Sequence, residues 1–529
     1  MNHAELWQRY KRYLCDVPSI GMRLDISRMG FSEAFLESMA APIERALDAM
    51  EKLEAGARAN VDEDRRVGHY WLRSPELAPD ESIRSDIEKT VSDIKQFARA
   101  VNSGEVTPAS GDAFYIVLVI GIGGSALGPQ LLVDALGTTE DSVIVRFLDN
   151  TDPDGIDRVI AELDETLAQT LTIVMSKSGG TKETRNTMLE VAAAYKRAGL
   201  DFAKHAVAVT CRGSALAEQA AKENWLRVFE IWDWVGGRTS ITSAVGLLPA
   251  ALLGADVDAF LAGARECDAV TRQRDVAANP AALLALMWHH AGGGKGSRNM
   301  VVLPYRDRLR LLGQYLQQLV MESTGKLRDR AGGTLHHGLT VYGNKGSTDQ
   351  HAFVQQLREG PDDYFATFIG FIQSRDRESM EVEEGATTGD YLNAFLLGTR
   401  DALTDAGHPS LMISFEKLDA YSLGALIALF ERAVGLYAEL INVNAYDQPG
   451  VEAGKEAAES VLKLQREVLA LLAKRAGSSL TVEEIADGIG RLDAMETIHH
   501  VLEHAAANPD HGIKRISGDD PLAAKFAMT

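Results

Sequence analysis

Ser176-Lys177-Ser178-Gly179-Gly180-Thr181 follow the apolar run Leu171–Val174, and a helical pattern begins at Thr181. Three hydroxyls, one lysine and two glycines at a strand-to-helix junction can converge on a phosphate, because loop amides and a helix N-terminus both attract anions. The pattern also suits an ordinary Ser/Gly-rich connection. A second loop of the same kind lies upstream. Gly121-Ile122-Gly123-Gly124-Ser125-Ala126-Leu127-Gly128 opens directly after the apolar run Tyr115–Ile120. Gly121, Gly123 and Ala126 match the dinucleotide fingerprint, and Asp149 closes the next strand where a ribose-binding acid would stand. A nicotinamide oxidoreductase is therefore a rival reading. The extra Gly124-Ser125 instead offers a hydroxyl and exposed amides to a single phosphate.

Three further residues could move protons or hold charge. Arg238 sits on the turn Val235-Gly236-Gly237-Arg238-Thr239-Ser240, where a fixed guanidinium could stabilise a negative oxygen in a transition state. The same turn also suits a surface arginine. Leu309, Leu312, Leu316 and Leu319 predict the apolar face of one amphipathic helix over Leu309–Gly325. Its opposite ridge carries Arg310, Gln314, Gln318 and Glu322, and Gly325 is a C-terminal stop. A carboxylate in the last turn faces the negative end of the helix dipole, which pushes its pKa upward and suits a general base. Ser347-Thr348-Asp349-Gln350 has a capping-box pattern that places His351 in the first turn of the next helix, where neutral imidazole is favoured. A buried structural histidine is equally compatible with that pattern.

The elements that would position these groups follow from the hydrophobic pattern. Residues 1–105 read as a helical N-terminal segment, with helical spacing over Ala41–Ala55 and Ser82–Val101. Tyr115–Ile120, Val143–Leu148, Leu171–Met175, His205–Thr210 and Val228–Ile231 predict the strands of a first doubly wound α/β domain over 106–291. Asn299–Leu303, Leu339–Tyr342, Phe365–Ile369 and Leu411–Phe415 predict a second over 292–445, with a helix at Tyr421–Leu440. Residues 446–529 return to helix, and those from about Asn508 look irregular.

The chain has 529 residues, 46% apolar and 24% charged, with 54 Lys and Arg against 75 Asp and Glu for a net charge of −21. Such a length exceeds one hydrophobic core, and the charge opposes nucleic-acid binding, so an anion site must be a local positive island. Cys15, Cys211 and Cys267 fit neither a disulfide framework nor a metal knuckle. No apolar signal core or bilayer-length run is present, and a cytoplasmic protein is expected. His500-Val501-Leu502-Glu503-His504 matches a zinc-peptidase string with its third ligand unspecified. The pairs His289-His290 and His336-His337 lack a ligand set. Thr481–Leu492 could open a helix-turn-helix, yet Thr481 to His504 carries six acids against Arg491 alone.

Taken in order, Gly121–Pro129, Ser176–Thr184, Gly236–Ser240, Gln314–Lys326, Gly346–His351 and Asp447–Lys455 resemble the glucose-6-phosphate isomerase family over nearly the whole chain. The resemblance implies two tandem sugar-isomerase domains around a phosphosugar site, with no cofactor and no metal. It implies that Gly124, Ser125, Ser176, Ser178 and Thr181 bind substrate phosphate, with Lys177 beside them. Glu322 becomes the base that shuttles a proton between C2 and C1, and Arg238 the group that stabilises the cis-enediolate. His351 and Lys455 become the ring-opening acid/base groups, while Gln318 and Gln448 hold sugar or phosphate oxygens. A homodimer in which His351 reaches the partner's site is implied too. Activity on mannose 6-phosphate, or phosphosugar binding without catalysis, are the alternatives. The phosphate loop lacks the bulkier residues of animal forms after its second hydroxyl, and the tail beyond Lys455 is longer than in compact bacterial forms.

Overall fold

Apolar runs with no polar alternation, such as Ile116–Ile120 and Ala206–Thr210, are buried at every residue, as strands covered on both faces by crossover helices must be. They belong to a computed structural model that describes residues 3–108, 110–516 and 520–529. The chain divides into two units, Met1–Asp447 and Gln448–Thr529. The first unit holds two large sheets and two two-stranded ones. One large sheet is wholly parallel, in the spatial order Ile144–Leu148, Ile116–Ile120, Thr170–Met175, Ala206–Thr210 and Arg227–Glu230. Ile120 pairs with both Leu148 and Val174. The chain thus leaves the Ile116–Ile120 strand for one side of the sheet and returns on the other. The loops after Ile120 and Met175 flank that switch point, where an open α/β sheet forms its ligand crevice.

The second sheet has the order Leu14–Val17, Met22–Arg28, Ser410–Phe415, Tyr364–Phe371, Asn299–Pro304 and Val341–Tyr342. Its last four strands are parallel, and Met22–Arg28 joins antiparallel to both neighbours. The expected all-helical N-terminal segment is therefore corrected: two of its stretches are strands. Charged Arg23, Asp25 and Arg28 interrupt the apolar pattern there, so the strand signal is weak. The helices Glu33–Glu54 and Glu81–Asn102 do form, each capped by a side chain, Ser32 and Asp80.

Between the sheets the helix Ala420–Leu440 crosses Val257–Thr271 closely. A Cβ on Gly263 would lie 1.8 Å from the Tyr421 carbonyl oxygen, and one on Gly424 2.0 Å from that of Phe260. Beneath this crossing lies a buried ionic network. Arg73 donates to Asp268 at 2.5 and 3.0 Å and to Glu431, and Arg432 contacts Asp268 at 3.1 Å and Glu54. Its opposite charges offset one another in a region where a lone charge would be prohibitive.

The second unit contains the helices Pro449–Lys474, Val482–Gly488 and Met495–Ala507 and the antiparallel hairpin Ile513–Ile516 with Lys525–Met528. Leu464, Val468, Leu472, Ile485, Ile498, Leu502 and Phe526 form its own core. The hairpin corrects the expectation of an irregular end, since two four-residue strands carry too little alternation to be read. The side chains of residues 451–453 lie outside the described residues. Among the described residues no helix is long and apolar enough to cross a membrane.

Candidate active site

Two glycine turns press against each other at the carboxyl end of the first sheet. A Cβ on Gly124 would lie 2.2 Å from the carbonyl oxygen of Gly237, so Gly124 must be glycine for this main-chain contact. Ser240 Oγ donates to the Gly237 carbonyl at 2.8 Å and to that of Gly124 at 3.3 Å, locking the pair. Gly123 has φ +59°, and the Gln318 amide nitrogen would stand 3.2 Å from a Cβ there. Gln318 thus lies against the Gly123–Ser125 turn. Asp149, the candidate ribose acid, accepts instead from Gln130 at 2.8 Å.

The neighbouring loop is organised by its own hydroxyls. Ser176 Oγ donates to Thr181 Oγ1 at 3.1 Å and accepts from the Gly179 amide at 3.1 Å. Ser178, more exposed, accepts from Gly180 N–H at 3.2 Å. Thr181 is the N-cap of the helix Lys182–Arg197 but makes no side-chain cap bond. The first-turn amides therefore keep free donor capacity beside three hydroxyls. Lys177 turns its ammonium onto the carbonyls of Asp233 and Val235, at 2.7 and 2.8 Å, tying this loop to the segment that carries Arg238. Burial pulls its pKa below the ordinary lysine value.

The Glu322 element differs from the single amphipathic helix that spacing predicts. A 3-10 turn at Asp307–Leu309 precedes one α-turn at Leu312–Leu316, and Gln317–Glu322 winds as a π-helix before the backbone leaves helical form at Gly325. Leu309, Leu312, Leu316 and Leu319 are all buried as expected, but so is Val320. The wider π turn accommodates both neighbours against the core, and such segments recur at functional sites. The polar ridge still faces one way: Arg310 pairs with Asp134 at 2.7 Å, Gln318 meets Gly123, and Glu322 meets Arg238.

Arg238 is 5% exposed. Its Nη1 and Nη2 donate to the carbonyls of Ala445 and Asp447, both at 3.0 Å, and its Nε stands 3.6 Å from Glu322 Oε2. Burial lowers the guanidinium's pKa while Glu322 and Asp447 oppose that shift. Glu322 Oε2 is buried with no hydrogen-bond partner among the described residues, so a carboxylate oxygen and a fixed cation face the same small volume. A cavity of about 50 Å³ lies behind them, lined by Lys177, Arg238, Leu319, Ser323 and Glu431. Small-molecule ligands occupy pockets of roughly 300 Å³ or more, so this cavity does not by itself hold a sugar phosphate.

Other candidate residues lie elsewhere. His351 is exposed at the end of the 3-10 turn Thr348–His351, and among the described residues no hydrogen bond joins it to Arg238 or Glu322. The expected capping box is corrected: Ser347 makes no cap bond. Gln350 donates instead to Thr399 and to the Phe395 carbonyl. Asp349 takes the Asn344 amides at 2.8 and 3.1 Å, and the next helix starts only at Val354. Gln448 is the N-cap of the helix Pro449–Lys474 in the second unit, and Lys455 lies exposed along that helix.

Sequence reasoning missed the groups that hold the pair in place. Lys326 and Asp447 lie within strings it singled out, without a role being drawn for either. Tyr315, whose hydroxyl reaches the Arg238 carbonyl at 3.5 Å, sits in the same helical stretch and reads as core. Among the described residues no group of three or more His, Cys, Asp or Glu side chains could hold a metal ion.

The two doubly wound sheets and the hydroxyl-lined crevice define a sugar-isomerase-type α/β protein. The description of the phosphoglucose isomerase family matches residues 25–404 and 402–473. The chain is 60% identical over 528 residues to the glucose-6-phosphate isomerase of Geobacter sulfurreducens, covering 100% of both chains. It is 54% identical over 525 residues to that of Synechococcus elongatus, covering 99% of both. The crystal structure of a glucose-6-phosphate isomerase from Chlamydia trachomatis superimposes with a TM-score of 0.79 at 28% identity, over 87% of this chain and 92% of that one. A hypothetical protein from Thermus thermophilus gives 0.71 at 30% identity, over 83% of this chain and 99% of its own. The chain belongs to the phosphoglucose isomerase family.

Proposed function

We propose that the protein interconverts glucose 6-phosphate and fructose 6-phosphate by moving a proton between C2 and C1 of the open-chain sugar. The observation that carries this reading is the Glu322–Arg238 pair: a carboxylate with a buried, unpartnered oxygen beside a guanidinium held by two carbonyls. An α-hydroxy carbonyl releases its C2 proton only if the oxyanion that forms is stabilised. Glu322 takes that proton, the electrons move into the C1–C2 bond, and the C1 oxygen gains the negative charge that Arg238 faces. Transfer of the C2 hydroxyl proton to the C1 oxygen, with return of the proton from Glu322 to C1 as the carbonyl forms at C2, gives the ketose and restores the carboxylate.

The remaining residues divide the substrate between them. Gly124, Ser125, Ser176, Ser178 and Thr181 hold the phosphate, supported by the helix N-terminus after Thr181, and Lys177 fixes their loop. Gln318, beside the Gly123–Ser125 turn, takes a sugar oxygen, and Gln448 serves the same end. His351 and Lys455 open the ring by proton transfer. The exposure of His351 supports its donation to a second copy, in a cytoplasmic homodimer.

Proton–deuterium exchange at C2 of glucose 6-phosphate in D₂O, followed by NMR alongside fructose 6-phosphate formation, tests the assignment. The unaltered protein should exchange and isomerise together. Glu322→Gln keeps the shape and removes the base, so turnover should fall by at least about 10³-fold with substrate affinity within a few-fold. Comparable turnover in that variant would overturn the role of Glu322. Binding without exchange in the unaltered protein would make the chain a sugar-phosphate binder instead.

A further inference from the structure

Lys326 is buried, 8% exposed, and no step above uses it. An ammonium has three N–H donors, and three oxygens surround this one, two as hydrogen-bond acceptors and one as an ion-pair partner. They are the Glu322 carbonyl at 2.9 Å, the Asp447 carbonyl at 2.8 Å and Asp447 Oδ1 at 3.0 Å. The first of these contacts closes the end of the π-helix, where backbone carbonyls lack helical partners. The Asp447 carbonyl also accepts from Arg238 Nη2. Arg238, Asp447, Lys326 and Glu322 therefore form a ring drawn from three stretches of chain, closed by the 3.6 Å approach of Arg238 to Glu322. Burial draws the lysine's pKa down, and Asp447 works against that shift.

We propose that Lys326, paired with Asp447, is a positioning residue that fixes the Glu322 carboxylate against the Arg238 guanidinium. It rests on the reading of Glu322 as the proton-transferring base. The two groups come from different elements, and the lysine ties the backbone of one to a carbonyl that already anchors the other. Its ammonium is occupied by this ring and touches no reacting atom. Proton transfer is sensitive to errors of about 1 Å in such alignment, which can cost about 10²-fold in rate. The hydroxyls of Ser176 and Thr181 bond to each other and not to the ring.

Lys326→Met keeps the side chain's length and removes all three donors. Its kcat should fall about 10- to 100-fold, with KM for fructose 6-phosphate within about threefold because the phosphate loop is intact. The primary isotope effect measured with C2-deuterated glucose 6-phosphate should rise, as proton transfer becomes slower relative to the other steps. A partly unfolded preparation would lose apparent kcat without changing that isotope effect. Asp447→Asn keeps the carbonyl and removes the ion pair, and should shift kcat and the isotope effect in the same direction by less. If Lys326→Met does not fold, Asp447→Asn decides alone. Unchanged kcat and isotope effect in a folded variant, or a loss confined to KM, would overturn the proposal. Glu322→Gln separates the two readings. If it abolishes turnover while both ring variants remain unaffected, only the role of Lys326 falls; if it leaves turnover intact, the base itself was misassigned.

Discussion

His69 is buried beside Tyr70, with ring centroids 3.9 Å apart, and the Arg73 and Arg432 cations lie near it. Burial first, then those two charges, hold its pKa well below the ordinary value of 6.5. The folded protein therefore keeps His69 neutral at pH values where the unfolded chain has protonated it, and acidification favours the unfolded state. Stability from this residue is present above pH 6.5 and is lost as the pH falls below it. Between pH 7.5 and 5.5 the loss is about 1.4 kcal/mol. Urea unfolding at the two pH values should show His69→Leu losing about that much less than the unaltered protein; an equal loss would refute the assignment. His205, His289, His290 and His337 are displaced in the same direction by burial, so the whole chain should be steeper than one histidine implies. Little at this scale is legible in sequence. Arg73, Asp268, Glu431 and Arg432 carry no signal in the sequence, since only tertiary packing sets them opposite one another. Arg238 and Glu322 stand out in sequence as candidates because one follows a Gly-Gly turn and the other is an acid in a last helical turn.

At the scale of elements, the strands of the parallel sheets were read to within a residue or two because double burial strips them of polar alternation. The π segment was not, since its backbone shift comes from packing Leu319 and Val320 side by side and leaves no mark in the spacing of Gln314, Gln318 and Glu322. Leu319 is 1% exposed and lines the cavity behind the site. Leu319→Ala should cost about 2–5 kcal/mol of stability, read from a urea transition. It should also lower kcat more than KM, because the segment it supports carries Glu322. A change near zero in both would mean that the segment holds its shape without this contact. The capping box at Ser347 misled for a local reason: Gln350 has better partners across the fold, in Thr399 and Phe395.

For the whole molecule, the exposure of His351 bears on assembly. If His351 serves its partner's site, each site of a symmetric dimer draws on both copies. His351→Ala and Glu322→Gln would each be inactive alone. A mixture refolded together should then recover up to about a quarter of the normal specific activity, because half of the dimers are mixed and each has one intact site. No recovery, with mixed dimers confirmed by mass spectrometry, would place the histidine in its own chain's site. The division into two doubly wound sheets was legible from the sequence, whereas the N-terminal strands were not, because their partner lies at the far end of the first unit. That pairing bears on how the chain is made. Met22, Leu24 and Ile26 are buried against Ser410–Phe415, a strand synthesised after all of the first sheet and most of the second. At about 5–20 residues per second, the early strand waits on the order of tens of seconds with an apolar edge unpaired. The early strand is therefore exposed to off-pathway pairing for as long as its partner is still being made.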